Sequence, residues 1–272
     1  MITSEANTQL KELVKLQKNA RYRKRQGAFV VEGLKLTREA ALYGFLQRIY
    51  ISQALYGQMW DGRSEKEIAE EFSEGGTKIV VEILADSVFD KVSDTVTPQG
   101  IMGTVRIPKY SLQSLLAVEE GFFLLLDGLQ DPGNLGTILR TAEGAGVSGV
   151  ILSRNSVDIF NPKVVRSTMG SIFRMPFVYV EELPLVIREI RERGIAVYGA
   201  MLEESIEYDR VDYRNPSGIV IGNEANGISE VVARELSGAV QIPMCGNVES
   251  LNAAAAAAVI MYEAARQRRL SK

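Results

Sequence analysis

Three polar clusters stand out in this 272-residue chain, because each follows directly on an apolar run. The first covers residues 126–140 and reads Leu-Asp-Gly-Leu-Gln-Asp-Pro-Gly-Asn-Leu-Gly-Thr-Ile-Leu-Arg. It places Asn134 where a helix can start and Arg140 six positions later, nearly two turns on. The second, residues 218–228, runs from Gly-Ile-Val-Ile into Gly222, Asn223, Glu224 and Gly227. The third, residues 240–252, ends in Ser250, Leu251 and Asn252, just ahead of a run of alanines. Polar groups at the carboxyl ends of buried strands are where open α/β sheets hold ligands. The glycines let a ligand or a second backbone come close. Asn134 can cap the helix that follows it, and Ser250 is placed to cap the long terminal helix that runs to Gln267. Taken singly, each cluster is also what an ordinary strand and capped turn look like, with a solvated arginine or carboxylate.

Missing residue types narrow the chemistry. The chain has no histidine, which removes the usual general base and every Ser-His or Cys-His mechanism. Cys245 is the single cysteine, so an internal disulfide is excluded and no metal site is expected; it reads as a small buried residue. The glycines match neither the GxGxxG dinucleotide pattern nor a GxxxxGK[ST] phosphate loop, which weighs against a nicotinamide-dependent enzyme. Net charge is −3 with a pI of about 5.4, so nucleic-acid binding would need a local basic patch. The first ten residues do not read as a signal peptide, and the strongly apolar run 122–126 is far too short for a membrane span. A cytoplasmic protein is expected.

The elements that must position these clusters fall into two domains. Residues 5–18 carry Leu10, Leu13, Val14 and Leu16 in an approximate helical pattern. Strands are expected at 28–31, 48–52, 78–83 and 101–107, with helices at 34–43 and 86–92 and an acidic one opened by the capping box Ser64-x-x-Glu67. This is a small α/β domain over residues 1–108, joined by a linker at 109–120 to a second domain, 121–272. There, apolar runs at 122–126, 150–152, 177–180, 196–200, 219–221 and 240–242 alternate with helical stretches. Such continuous apolar strands predict a parallel sheet covered on both faces.

In this order and spacing, the clusters resemble the three motifs of the SpoU (TrmH-type) family of the SPOUT methyltransferases, from about residue 123 to the C-terminus. The matching elements are Asn134 with Arg140, Asn223-Glu224-x-x-Gly227, and Ile242-Pro-Met followed by Ser250-Leu-Asn252. Residues 161–170, Asn-Pro-Lys-Val-Val-Arg-Ser-Thr-Met-Gly, also look like that family. The N-terminal part is similar, more loosely, to the substrate-binding domain often attached to it. The resemblance implies a parallel-sheet α/β domain with a deep trefoil knot, a feature sequence physics would not propose. It also implies a homodimer with its sites at the interface. S-adenosylmethionine would be held by backbone groups near Gly222, Ile242 and Leu251, joined by Ala200 and Met244.

The implied reaction is methylation of a ribose 2′-hydroxyl in structured RNA; ribosomal and transfer RNA both fit the family, and the separate N-terminal domain favours 23S ribosomal RNA. Arg140 would be central. A guanidinium stays protonated, so a substrate phosphate could take the hydroxyl proton while Arg140 holds both groups. Asn134 would orient the arginine or the ribose. Glu224 would anchor the loops or bind Arg140 of the same or the partner subunit, and Ser250 and Asn252 would complete the polar lining. Outside this set, residues 11–25 hold seven basic side chains against one acid, Glu12. Arg21, Tyr22, Arg23, Lys24 and Arg25 are the expected RNA contacts there, with Tyr22 stacking on a base; Lys163 and Arg166 would add phosphate contacts. The acidic stretch 61–74 is expected to face away from RNA, and Arg266, Arg268, Arg269 and Lys272 to complement the dipole of the last helix. The rival is an RNA-binding module that has lost catalysis; the intact polar set argues against it.

Overall fold

The computed structural model describes residues 1–73 and 78–271; Glu74 of the acidic stretch and Lys272 lie outside the described residues. Up to residue 109 the elements are α1 Thr8–Lys18, α2 Ala20–Gln26, β1 Ala28–Glu32, α3 Leu34–Leu42, β2 Leu46–Ser52, α4 Gln53–Met59, α5 Glu65–Phe72, β3 Val80–Leu84, α6 Asp86–Val92 and β4 Ile101–Arg106. Then follow α7 Leu112–Leu116, β5 Phe122–Leu126, α8 Pro132–Gly144, β6 Gly149–Ser153, α9 Pro162–Ser167, β7 Phe177–Val180, α10 Leu183–Glu192, β8 Ala196–Ala200, β9 Ser205–Glu207, β10 Ser217–Ile221, α11 Glu230–Ala233, β11 Gly238–Gln241 and α12 Ala253–Leu270. Two compact units result: residues 1–109 with 158–173, and residues 110–157 with 174–272.

In the first unit the sheet order is β1-β4-β2-β3, with β4 antiparallel to both neighbours and β2 parallel to β3. Leu10, Leu13 and Leu16 of α1 bury their stripe against Val30, Tyr50 and Met102 of the sheet. The capping box forms: the Ser64 amide donates to Glu67 Oε2 at 2.8 Å, and the Glu67 amide returns a bond to Ser64 Oγ. The basic segment is two helices, because Asn19 leaves helical geometry and its side chain accepts from the Tyr22 amide at 2.9 Å, capping α2. That break turns Arg23 inward. It is 4% exposed, it donates to the carbonyls of Leu16 and Gln17, and it pairs with Asp158 at 2.5 Å. Arg23 is therefore an internal clamp between α1, α2 and the 158–173 segment, not the RNA contact expected. Tyr22 is half-buried, with Arg25 and Lys15 5.0 and 5.7 Å from its ring centroid. Arg166 donates to Asp94 at 2.7 Å, while Arg21, Lys24, Arg25 and Lys163 stay exposed.

Removing one partner of a buried pair leaves the other charge uncompensated. Arg23→Met is expected to cost about 3 kcal/mol of stability, read as a lower urea midpoint. Arg21→Met, on the opposite and exposed face of α2, should leave the midpoint unchanged.

The second unit holds a seven-stranded sheet in the order β7-β6-β5-β10-β8-β11-β9, with all its pairings parallel. Every residue of β5, β6 and β10 is buried, which is why these strands read as unbroken apolar runs. The short β9 was not anticipated; its sequence, Ser-Ile-Glu, has too little apolar pattern to signal a strand. Leu115 and Leu116 of α7, expected in the linker, are buried with Phe123, Ile151, Val178 and the α10 residues Ile187 and Ile190. Conversely, residues 158–173 pack with the first unit, where Phe160 lies 4.6 Å from Phe29, ring centre to ring centre.

Arg268 is not a solvated counter-charge at the end of α12. Its guanidinium donates to the carbonyls of Glu120, Tyr213 and Asn215 at 2.7–2.8 Å and lies 5.2 Å from the Phe122 ring centre. Burial pulls its pKa below the usual arginine value, opposed by Glu120. Among the described residues, no helix is long and apolar enough to cross a membrane.

Candidate active site

The sheet order explains why three clusters far apart in sequence meet. Strands β5, β10, β8 and β11 are neighbours and run parallel, so their carboxyl ends share one edge. Each cluster begins at one of those ends.

A cavity of about 730 Å³ opens there. Ala200, Gly222, Ile242, Met244 and Leu251, the five residues expected around a cofactor, all line it. So do Glu224, Ser250 and Asn252. Its volume is that of a small-molecule site. Ile221, Val240 and Ile260 supply apolar wall, Ala253 and Ala256 of α12 keep one side free of bulk, and Glu203 and Glu249 add carboxylates at the margin. The first three suit an adenine ring, and the carboxylates suit a ligand that carries positive charge.

Loop 222–228 has a tight internal geometry. A Cβ on Gly222 would lie 2.2–2.4 Å from the backbone of Gly227 and Ile228, so no side chain fits. Asn223 and Gly227 exchange two backbone hydrogen bonds of 2.9 Å, and Gly227 takes a φ of +68°. The Asn223 side chain donates to the Gly128 carbonyl at 2.9 Å, joining the second cluster to the first.

Glu224 then completes a relay across all three clusters. Its carboxylate accepts from the amides of Gln130 (3.0 Å) and Asp131 (2.9 Å) and from Asn134 Nδ2 (3.0 Å). Asn252 Nδ2 donates to Asn134 Oδ1 at 2.9 Å. Asn252 Oδ1 accepts from the amides of Ala254 and Ala255 at the start of α12. Each amide group in this chain has one sense only, because both of its ends are engaged.

Two caps differ from expectation. Asp131, not Asn134, caps α8: its side chain accepts from the Asn134 amide at 2.8 Å, ahead of Pro132 at the first helical position. Asn252, not Ser250, caps α12. Both shifts have one consequence, which is that the Asn134 side chain is free to join the relay and Asn252 ties it to a helix end.

Arg140 stands apart. It is exposed on α8, does not line the cavity and has no hydrogen bond or ion pair among the described residues. Six helical residues carry it about 9 Å along the axis and roughly 120° around it from Asn134, so neither Asn134 nor Glu224 touches it. Lys163 and Arg166 belong to the first unit. Cys245 is exposed, contrary to expectation, and is not in the cavity wall. Among the described residues no group of three or more His, Cys, Asp or Glu side chains could hold a metal ion.

Partial burial opposes the Glu224 charge, but the donors from Gln130, Asn134 and Asp131 outweigh it and hold its pKa below the usual carboxylate value. A depressed folded-state pKa adds stability above the unfolded value and loses it as pH falls through the folded one. The difference in melting temperature between the protein and Glu224→Gln should therefore be full at neutral pH, begin to shrink near pH 4–5, and vanish in stronger acid.

Known proteins resemble this chain along most of its length. The model of the SpoU rRNA methylase family matches residues 121–262, and that of the MRM3-like substrate binding domain matches residues 7–103. The 23S rRNA (guanosine(2553)-2′-O)-methyltransferase RlmP of Bacillus subtilis is 32% identical, over 96% of this chain and 97% of that one. The 23S rRNA (guanosine-2′-O-)-methyltransferase RlmB of Xanthomonas campestris is 34% identical over 66% of this chain and 74% of its own. Among solved structures, AviRb of Streptomyces viridochromogenes in complex with AdoMet superposes with a TM-score of 0.84 at 28% identity, covering 97% of this chain and 98% of that one. An AdoMet-bound rRNA methyltransferase from Sinorhizobium meliloti gives 0.83 at 30% identity, covering 97% of each.

Proposed function

This chain belongs to the SpoU rRNA methylase family, and from that premise we propose that it transfers a methyl group from S-adenosylmethionine to a ribose 2′-hydroxyl of 23S ribosomal RNA. The observation that carries the reading is the cavity walled by Ala200, Gly222, Ile242, Met244 and Leu251, with the Glu224–Asn134–Asn252 relay at its margin. When bound there, S-adenosylmethionine supplies a methyl group on a cationic sulfur and leaves neutral, so the protein needs no acid for the leaving group.

The protein's task is then to hold the acceptor oxygen in line and let its proton depart. Glu224 is saturated with donors and serves as an anchor, not as the base. Arg140, exposed and without a polar partner among the described residues, is suited to grip a substrate phosphate beside the ribose hydroxyl, and that phosphate takes the proton. Because Arg140 is outside the wall of its own cavity, the reading includes a homodimer with sites completed at the interface, and the knot that the family resemblance implies.

RNA would be gathered by the first unit. Its sequence has 18 Lys and Arg against 15 Asp and Glu, a net +3, whereas the second unit has 13 against 19, a net −6. The overall −3 therefore hides a basic substrate-binding unit, with Arg21, Lys24, Arg25 and Lys163 among its exposed cations. The work is done in the cytoplasm, on the ribosomal RNA.

The test is transfer of labelled methyl from S-adenosylmethionine to 23S ribosomal RNA taken from cells lacking the gene. Label is expected in a 2′-O-methylnucleoside after digestion. Label in a methylated base, or transfer to transfer RNA alone, would overturn the reading.

A further inference from the structure

Loop 222–228 forms one wall of the cavity; Asn223 and Glu224 tie its near part to the first cluster, and two residues outside the cavity lining, Asp127 and Ser229, are bonded to each other just past its far end. Asp127 lies at the carboxyl end of β5 and is 8% exposed. Its Oδ2 accepts from both the amide (2.8 Å) and the hydroxyl (2.7 Å) of Ser229. Ser229 occupies the N-cap of α11, where a serine ordinarily turns its hydroxyl onto its own helix. Here it makes no such bond and gives the hydroxyl to Asp127.

The position of Ser229 passes directly to the cavity. Ile228, its neighbour, lines the wall, and the Ile228 side chain lies 2.8 Å from where Gly199 of β8 would carry a Cβ. Between Ser229 and the end of β10 the loop has no slack, since Gly222 is pressed on Gly227 and Ile228 and Asn223 is doubly bonded to Gly227. Residues 224–227 are exposed, so core burial does not hold them. Asp127 is thus a buried carboxylate whose two side-chain hydrogen bonds both go to Ser229, just past the far end of the loop.

We propose that Asp127 and Ser229 form a latch that positions the cofactor wall and sets the affinity for S-adenosylmethionine, acting through loop 222–228 without touching the reacting atoms. The inference rests on the cofactor reading above. Asp127 and Ser229 are positioning residues, and their loss should act on cofactor affinity more than on turnover.

Calorimetric titration of S-adenosylmethionine into the full-length protein, with methyl transfer to 23S ribosomal RNA at varied cofactor, tests it. Ser229→Ala, at an exposed site that leaves the core intact, is expected to raise both Kd and KM for the cofactor about fivefold or more, and Asp127→Ala about tenfold or more. Turnover at saturating cofactor should stay within about threefold, and the melting temperature of cofactor-free Ser229→Ala within about 2 °C. Ser229→Thr keeps both donors and should restore wild-type affinity. Unaltered affinity in Ser229→Ala, or turnover falling while affinity holds, would overturn the latch. Failure of the unmodified protein to bind the cofactor would instead overturn the cofactor reading itself.

Discussion

Arg140→Ala is expected to lower methyl transfer roughly a thousandfold or more while the Kd for S-adenosylmethionine changes by less than about twofold. The separation follows from geometry. Arg140 does not line the cavity and has no hydrogen-bond or ion-pair partner to leave unsatisfied among the described residues. Its removal therefore costs neither cofactor site nor fold, and what is lost is the guanidinium that holds substrate. Arg140→Lys should recover only a small part, because an ammonium lacks the two-pronged donor set that fits a phosphate and a neighbouring hydroxyl together. Single-turnover transfer and cofactor titration on the same preparations measure both quantities. Loss of cofactor binding in Arg140→Ala, or turnover close to wild type, would remove Arg140 from the mechanism.

Glu224→Gln carries the second largest effect, about a hundredfold in kcat/KM. Three donors converge on two carboxylate oxygens: the amides of Gln130 and Asp131 and Nδ2 of Asn134. A carboxamide keeps the shape and replaces one oxygen by a donor. Whichever way it turns, an N–H faces an N–H, and the turn at 130–131 parts from loop 222–228. Asn134 loses its orientation with it, and so does the link to Asn252 at the start of α12. Steady-state kinetics on Glu224→Gln beside Glu224→Ala checks this: the two should be comparably impaired, whereas near-normal activity in the glutamine variant would show that shape alone suffices there.

Much of this site could be read from sequence, for physical reasons that particular residues make plain. Strands β5, β6 and β10 are buried on both faces, so their unbroken apolar runs announced a parallel sheet, and the polar clusters at strand ends announced a ligand edge. The residues expected around the cofactor line one cavity because they flank the carboxyl ends of neighbouring parallel strands and the start of α12. What sequence did not reveal depends on long-range geometry. Arg23 looks like any other member of a basic run; only the Asn19 break and a carboxylate 135 residues away make it a clamp. The packing of residues 158–173 with the first unit is non-local in the same way. The caps were closer to hand. Asp131 followed by Pro132 is a stronger helix start than Asn134, and a cap at Asp131 leaves the asparagine side chain for the relay. Asp127 and Ser229 carried no signal, since their pairing spans 102 positions.

On the proposed mechanism this chain methylates one class of atom, a ribose 2′-oxygen, through Arg140. Nucleotide-resolution mapping of ribose methylation on 23S ribosomal RNA tests it most directly, in cells lacking the gene and in the same cells carrying either the unmodified protein or Arg140→Ala. One 2′-O-methyl group is predicted to disappear with the gene, to return with the unmodified protein and to stay absent with Arg140→Ala. An unchanged ribose methylation pattern in the gene-less cells, or full restoration by the Arg140→Ala protein, would contradict it.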